Sequence, residues 1–174
     1  MIGVMLETAC KLGLSEKYNL GQFLPESTQS LALESAWNDF LVNNPEFNDG
    51  SFDNEPVGDE LSNPLSELVK NELARQRAGI LLGATVLETY ERQYTPISEG
   101  TGWHEDTNTG ADLIIVHTVY GSALFDAIKV DGTKYSGIHS AGDVIAFKAD
   151  TQHNASPPTR GNRLIEGIAI ELAH

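Results

Sequence analysis

The apolar residues of this chain change their period near Gly79, and that change limits the chain to few architectures. Before Gly79 they recur every three or four positions, as on one face of an amphipathic helix. After it they fall into short runs and alternations separated by turn residues, with no helical stretch between them. The candidate strands are Ile80–Tyr94, Gly102–Asp106, Ala111–Tyr120, Ser122–Val130, Asp143–Lys148 and Arg163–Leu172. Asp131-Gly132 gives a tight-turn signal after the fourth of these. Strands that follow one another without crossover helices pair antiparallel, in a sandwich or barrel. The expected class is α+β, with N-terminal helices packed on a jelly-roll-like β domain.

Three helices are expected in the first part. Ile2, Met5, Leu6, Ala9 and Leu12 mark the apolar face of the first. The second covers Thr28 to Val42, with Leu33, Ala36, Trp37, Phe40 and Leu41 on one side. The third begins with Asn63 as N-cap and Pro64 in the first turn, and carries Leu65, Leu68, Val69 and Leu73. Arg75 and Arg77 suit its C-terminal end, and Gly79 stops it. At 174 residues the chain reads as a single domain, 1–79 being mainly helical support and 80–174 the β core. Between the second and third helices, Asn44 to Ser62 is rich in Asn, Asp, Glu, Gly and Pro, a long mobile loop that reads equally as a lid or as plain solvated chain.

Composition removes several classes of function. Eleven Lys+Arg against twenty-five Asp+Glu give a formal net charge of −14. Such a surface repels phosphate backbones, so nucleic acid is a poor partner, and a cationic or neutral small molecule suits the surface better. Cys10 is the single cysteine, which excludes an internal disulfide and a cysteine-based zinc site, and it reads as a small core residue. Met1 to Leu14 has no basic region before its apolar residues, and Glu7 interrupts it, unlike a secretory signal. No apolar run approaches bilayer-spanning length. A cytoplasmic protein without membrane contact is the expectation.

The residues that could carry chemistry are few. His104 and Asp106 stand two apart in His104-Glu105-Asp106, and on an extended segment they would share a face. His153 follows the turn and buried strand Gly142 to Phe147, and could add a second imidazole. Two imidazoles and one carboxylate suit a non-heme Fe(II) ion and leave positions open for other ligands. Alone, the His-x-Asp pair would equally suit manganese or no metal. The Gly-rich turn Glu99-Gly100-Thr101-Gly102 precedes it, and Arg163 opens the last strand. By alternation Glu105 faces away, and Trp103 reads as a wall or rim aromatic. His117 is expected in the sheet interior with a hydrogen-bond partner, His139 and His174 in a loop and a tail, and Asn154 beside a ligand.

Gly102-Trp103-His104-Glu105-Asp106, Gly142-Asp143-Val144, His153 and Arg163 together resemble the Fe(II)/2-oxoglutarate-dependent dioxygenases, whose catalytic domain is a double-stranded β-helix. The likeness runs from near Leu87 to Leu172. It implies that His104, Asp106 and His153 hold Fe(II), and that Arg163 pairs with the distal carboxylate of 2-oxoglutarate. It also implies consumption of O2, release of succinate and CO2, and hydroxylation of a substrate. The family often places a hydroxyl after that arginine, as Arg-x-Ser, where this chain has Arg163-Leu164-Ile165. Tyr94 is the candidate substitute, an ordinary sheet tyrosine being the plainer reading. Arg160 rivals Arg163, but its Pro- and Gly-rich surroundings read as a turn. Related halogenases have a small residue where Asp106 stands, so the carboxylate favours hydroxylation. One rival is a cupin-type metalloenzyme, although Lys148 and Asp150 replace its usual proline and glycine and Asp106 its second histidine. The other is a non-catalytic β-barrel binding module. Small-molecule substrates are expected, with oligomeric state open.

Overall fold

Side chains alternate across a strand, so a strand buried at successive positions must be covered on both faces. Leu113–Tyr120 and Arg163–Glu171 have that character, and they lie side by side in the larger of two sheets. In the computed structural model, residues 2–19, 83–94, 100–158, 161 and 163–173 are described. The expected second and third helices and the 44–62 loop lie outside these residues. The elements are α1 (Ile2–Leu12), β1 (Tyr18–Asn19), β2 (Thr85–Tyr94), β3 (Leu113–Tyr120), β4 (Ser122–Ile128), β5 (Lys134–Ser140), β6 (Asp143–Lys148), β7 (His153–Ala155) and β8 (Arg163–Glu171). A 3-10 turn, Thr107–Thr109, precedes β3.

The larger sheet has the order β1-β6-β3-β8-β2 and the smaller one β5-β4-β7, with antiparallel pairing throughout. On one face of the larger sheet, Leu113, Ile115, Val144, Ala146, Ile168 and Ile170 meet Ile2, Met5, Leu6 and Ala9 of α1. On the other, Ile114, Val116, Ile145, Phe147, Ile165 and Ala169 meet Phe125, Ala127 and Ala155 of the smaller sheet. The result is a helix laid on a two-sheet, jelly-roll-like sandwich. No helix among the described residues is long and apolar enough to cross a membrane.

Four of the five positions expected on the first helix face are buried, but Leu12 is 53% exposed. The helix ends there. Gly13 takes φ 80° and returns its N–H to the Ala9 carbonyl at 2.8 Å, a left-handed glycine stop. The chain then turns inward, and Leu14 (1% exposed) bridges Phe147 of β6. Leu14 therefore takes the inward place that helical spacing assigned to Leu12.

The strand expectations mostly hold, and the departures have physical reasons. Asp143–Lys148 is found as expected, and the ends of the other long strands retreat by a few residues. Gly102–Asp106 is not a strand; only His104 makes a β-bridge, to His153. Strand β5 (KYSGIHS) was not anticipated, because it is an edge strand with most of its side chains outside and so lacks an apolar signal. Between β4 and β5 the Asp131-Gly132 turn is present, with Gly132 at φ 80° and the Asp131 carboxylate accepting from the Thr133 N–H and hydroxyl. Removing buried methylenes from α1 tests this arrangement. Leu6→Ala should lower the unfolding free energy by about 2–5 kcal/mol and Leu12→Ala by less than about 0.5 kcal/mol, in parallel denaturant titrations.

Candidate metal centre

His104 and His153 come together through their backbones. Each N–H donates to the other's carbonyl at 3.0 Å, so the two residues sit directly opposite one another and project to the same side. Their rings are 4.2 Å apart, centroid to centroid. The pairing continues toward Gly100, with Thr101 N–H on the Ala155 carbonyl and Ala155 N–H on the Thr101 hydroxyl. A Cβ on Gly100 would lie 2.5 Å from the Ala155 carbonyl oxygen, and φ there is 79°, so only glycine fits this approach.

Asp106 arrives by a different route from the one expected. The segment is not extended; Asp106 N–H bonds the Ala149 carbonyl, and the chain bends there with φ −97° and ψ 25° into the 3-10 turn. That bend brings its carboxylate between the two imidazoles. One oxygen lies 3.5 Å from His104 Nε2 and the other 3.6 Å from His153 Nε2. These separations are long for hydrogen bonds, so three good donor groups face one another without satisfying one another. One ligand atom from each lies within 4.8 Å of the others.

The ring tautomers suit a cation. His104 Nδ1 lies 3.0 Å from the Gly102 carbonyl, and His153 Nδ1 lies 2.9 Å from the Thr151 carbonyl. A carbonyl only accepts, so each Nδ1 carries a proton, and in the neutral ring that tautomer leaves the Nε2 lone pair facing the shared space. Burial holds the His153 imidazole below its ordinary pKa, against the opposing pull of the Thr151 carbonyl and Asp106, which keeps the ring neutral. Phe147 and Phe125 pack on it with centroids at 4.5 and 5.7 Å and fix its plane.

The same cleft, about 400 Å³ including its open mouth, is lined by the three donors and by Arg163, Arg92 and Tyr94. Arg163 is 2% exposed, and its Nη2 donates to the Thr118 hydroxyl at 3.2 Å. Its buried Nε has no partner. Burial lowers its pKa, but a guanidinium stays charged at any ordinary pH. Tyr94 is buried too, and its ring centroid is 5.8 Å from the Arg163 guanidinium. The hydroxyl bonded to Arg163 is that of Thr118, which the sequence did not single out. Finding it required the β3–β8 register, because nothing local marks Thr118 as facing an arginine forty-five residues away.

Other candidates fall outside the cleft. Glu105 is exposed, although not by strand alternation, and Trp103 is 51% exposed. Asn154 is half-buried on β7. His117 is buried with Nδ1 3.0 Å from a Glu166 carboxylate oxygen, the sheet-interior role expected of it. Arg160 and His174 lie outside the described residues. His139 corrects its expected loop position, being 1% exposed on β5 with Nε2 3.1 Å from the Tyr135 hydroxyl and Phe125 against its ring.

The arrangement of two packed antiparallel sheets is one that solved proteins share. No family model matches the chain, and no curated protein matches it in sequence. Among solved structures it is similar to a prolyl-4-hydroxylase from Pseudomonas putida, with a TM-score of 0.67 and 17% identity over 100% of both chains. It is also similar to a Trichoplax adhaerens prolyl hydroxylase, solved with a peptide fragment of the hypoxia inducible factor oxygen degradation domain. That match has a TM-score of 0.64 and 13% identity over 97% of this chain and 88% of the other. A non-heme alpha ketoglutarate dependent carbocyclase from nogalamycin biosynthesis, SnoK, matches with a TM-score of 0.61 and 14% identity, over 95% and 82%. At these identities the likeness is one of fold.

Burial pushes His139 down to about 4 from an ordinary 6.5, with the nearby Arg163 charge adding to the effect. The folded state then refuses a proton that the unfolded chain accepts below pH 6.5, so this group stabilises the fold above that pH and the contribution is lost as pH falls toward 4. The full difference amounts to about 3 kcal/mol. His139→Gln should flatten the fall in stability between pH 6.5 and 4.5 relative to the parent protein, measured by denaturant midpoints across that window. Parallel curves would show that His139 is not protonated on unfolding.

Proposed function

We propose that this chain is an Fe(II)- and 2-oxoglutarate-dependent oxygenase that hydroxylates a small-molecule substrate. The observation that carries the reading is Arg163, a buried guanidinium with an unpartnered Nε, in the same cleft as His104, Asp106 and His153. An unpaired buried charge is costly, and a carboxylate satisfies a guanidinium in two-pronged geometry. The donor set fits the metal, since two neutral imidazoles and a carboxylate leave positions open for a cosubstrate. Bound Fe(II) with 2-oxoglutarate and O2 would supply the oxidising chemistry, with succinate and CO2 as coproducts.

The protein's part is holding and shielding. His104 and His153 would bind through Nε2, each ring set by its Nδ1 bond to a backbone carbonyl. Asp106 would complete the set, and keeping that carboxylate favours hydroxylation over halide incorporation. Arg163 and the Thr118 hydroxyl would receive the distal carboxylate of 2-oxoglutarate, with Tyr94 walling the same end. Phe125 and Phe147 keep water from the His153 side. A cupin-type centre would have no use for the buried arginine, and a plain binding module would have no use for the three converging donors.

Two sets of variants separate the roles. Asp106→Ala and His153→Ala should weaken Fe(II) binding by at least ~10-fold in anaerobic calorimetry and abolish succinate formation. Arg163→Met should leave Fe(II) binding intact and weaken 2-oxoglutarate by roughly 10- to 100-fold, read from the visible charge-transfer band. It should also raise the thermal midpoint of the ligand-free protein, because an unpaired buried charge is removed. Thr118→Val should weaken 2-oxoglutarate by about 2- to 10-fold. Absence of the band and of succinate from the parent protein would remove the oxygenase reading.

A further inference from the structure

The cleft holds a second guanidinium, Arg92, to which the proposed function assigns no role. Tyr90, Arg92 and Tyr94 lie on one face of β2, opposite Gly167, Ile165 and Arg163 of β8. The chain has 11 Lys+Arg in 174 residues, and two of them line this one cleft. Arg92 is held from both sides: its guanidinium carbon lies 4.9 Å from the Tyr90 ring centroid, and it is hydrogen-bonded to Tyr94. Tyr90 in turn is seated by a missing side chain. A Cβ on Gly167 would lie 1.9 Å from the Tyr90 ring carbon that bears the hydroxyl, so the ring occupies the space that glycine leaves. Among the described residues no carboxylate forms an ion pair with Arg92; Asp106 acts on it only at longer range.

Arg92 differs from Arg163 in exposure. Arg163 is fully buried, whereas Arg92 is half-buried. A dicarboxylate cosubstrate has one distal carboxylate, which Arg163 takes, while its other end belongs at the metal. Arg92 is then left over, pre-positioned and facing the same cleft. We propose that Arg92 anchors an anionic group of the organic substrate, which makes the substrate a small carboxylic acid rather than a cation or an uncharged molecule. The planar fork of arginine favours a carboxylate, and its aromatic backing lowers the entropy lost on binding. This proposal rests on the oxygenase reading for the division of labour between the two arginines.

The test uses matched probes, the common L-amino acids and their carboxamides, with inorganic phosphate as a third arm. Binding is read by ligand-detected saturation-transfer NMR on the intact protein without added metal. For at least one amino acid, binding should be about 10-fold or more tighter than for its carboxamide, and Arg92→Gln should remove that preference. Arg92→Lys should restore part of it, and circular dichroism should confirm that both variants fold. Arg92→Gln should keep 2-oxoglutarate affinity within about twofold of the parent, while Arg163→Met loses it. Equal binding of acids and amides, an unchanged preference in Arg92→Gln, or tighter binding of phosphate than of every acid would each overturn the proposal. So would a larger loss of 2-oxoglutarate in Arg92→Gln than in Arg163→Met. Arg92-dependent acid binding in a parent protein that gives no charge-transfer band with Fe(II) and 2-oxoglutarate would overturn the oxygenase reading alone.

Discussion

Two hydrogen bonds between the backbones of His104 and His153 join the loop that follows β2 to the short strand β7, and the candidate site takes its geometry from that junction. Neither histidine sits inside a long, self-supporting strand. The bridge is held by what lies on either side of it: Gly100 and Thr101 against Ala155, and Asp106 against Ala149. Thr151 ties it to the rest of the fold. Its hydroxyl donates to the Gly13 carbonyl at the end of α1, and its carbonyl receives the His153 ring proton. A helix stop set by one glycine thus reaches a metal-ligand candidate through a single residue. Packing of α1 on the larger sheet positions that stop, so core stability and site geometry are coupled.

Polar groups buried for structure and polar groups lining the cleft differ in how fully they are satisfied. The Asp143 carboxylate is buried at the β5–β6 turn, yet it accepts from Lys17, Asn19 and the Ser140 N–H. Those bonds outweigh its burial and hold it below its ordinary pKa. Among the described residues Arg163 has one side-chain hydrogen-bond partner and an idle Nε, and the Asp106 oxygens stand beyond good hydrogen-bond distance from both imidazoles. His117 Nε2 is also without a partner among the described residues, but it lies on the α1 side of the sheet, on the same face of β3 as Leu113 and Ile115. Unmet bonding capacity concentrated in one cleft is what a binding site requires before its ligand arrives.

The sequence disclosed the parts of this arrangement that depend on period and composition. Alternation and apolar runs located β2, β3, β4, β6 and β8, because each buries at least one face, and His104, Asp106, His153 and Arg163 converge as the motif implied. What it concealed depends on pairing across long stretches of chain. The polar edge strand β5 hid His139, whose burial comes from Phe125 and Tyr135 rather than from its own neighbours. Thr118 and Arg92 became visible only with the registers of β3 and β2 against β8. One expected geometry did not hold. Asp106 meets His104 through a bend and not through strand alternation, so the pair converges by a local route other than the one expected.

Charge shows most clearly how a global property can mislead about a site. A formal charge of −14 argues for cationic or neutral partners at the surface. Salt, however, screens exposed charges beyond roughly 8 Å at physiological ionic strength, whereas groups within a cleft interact through a lower dielectric. Inside that distance lie Arg163 and Arg92, and among the described residues the carboxylate lining the cleft is Asp106, which faces the two imidazoles. Fe(II) would add further positive charge. The cleft is therefore positive within a negative envelope. Such a field penalises polyanions during approach, through the many charges they carry, and hardly affects a small monoanion. The acidic surface and the two arginines are then compatible, since the one acts during approach and the other only within the cleft.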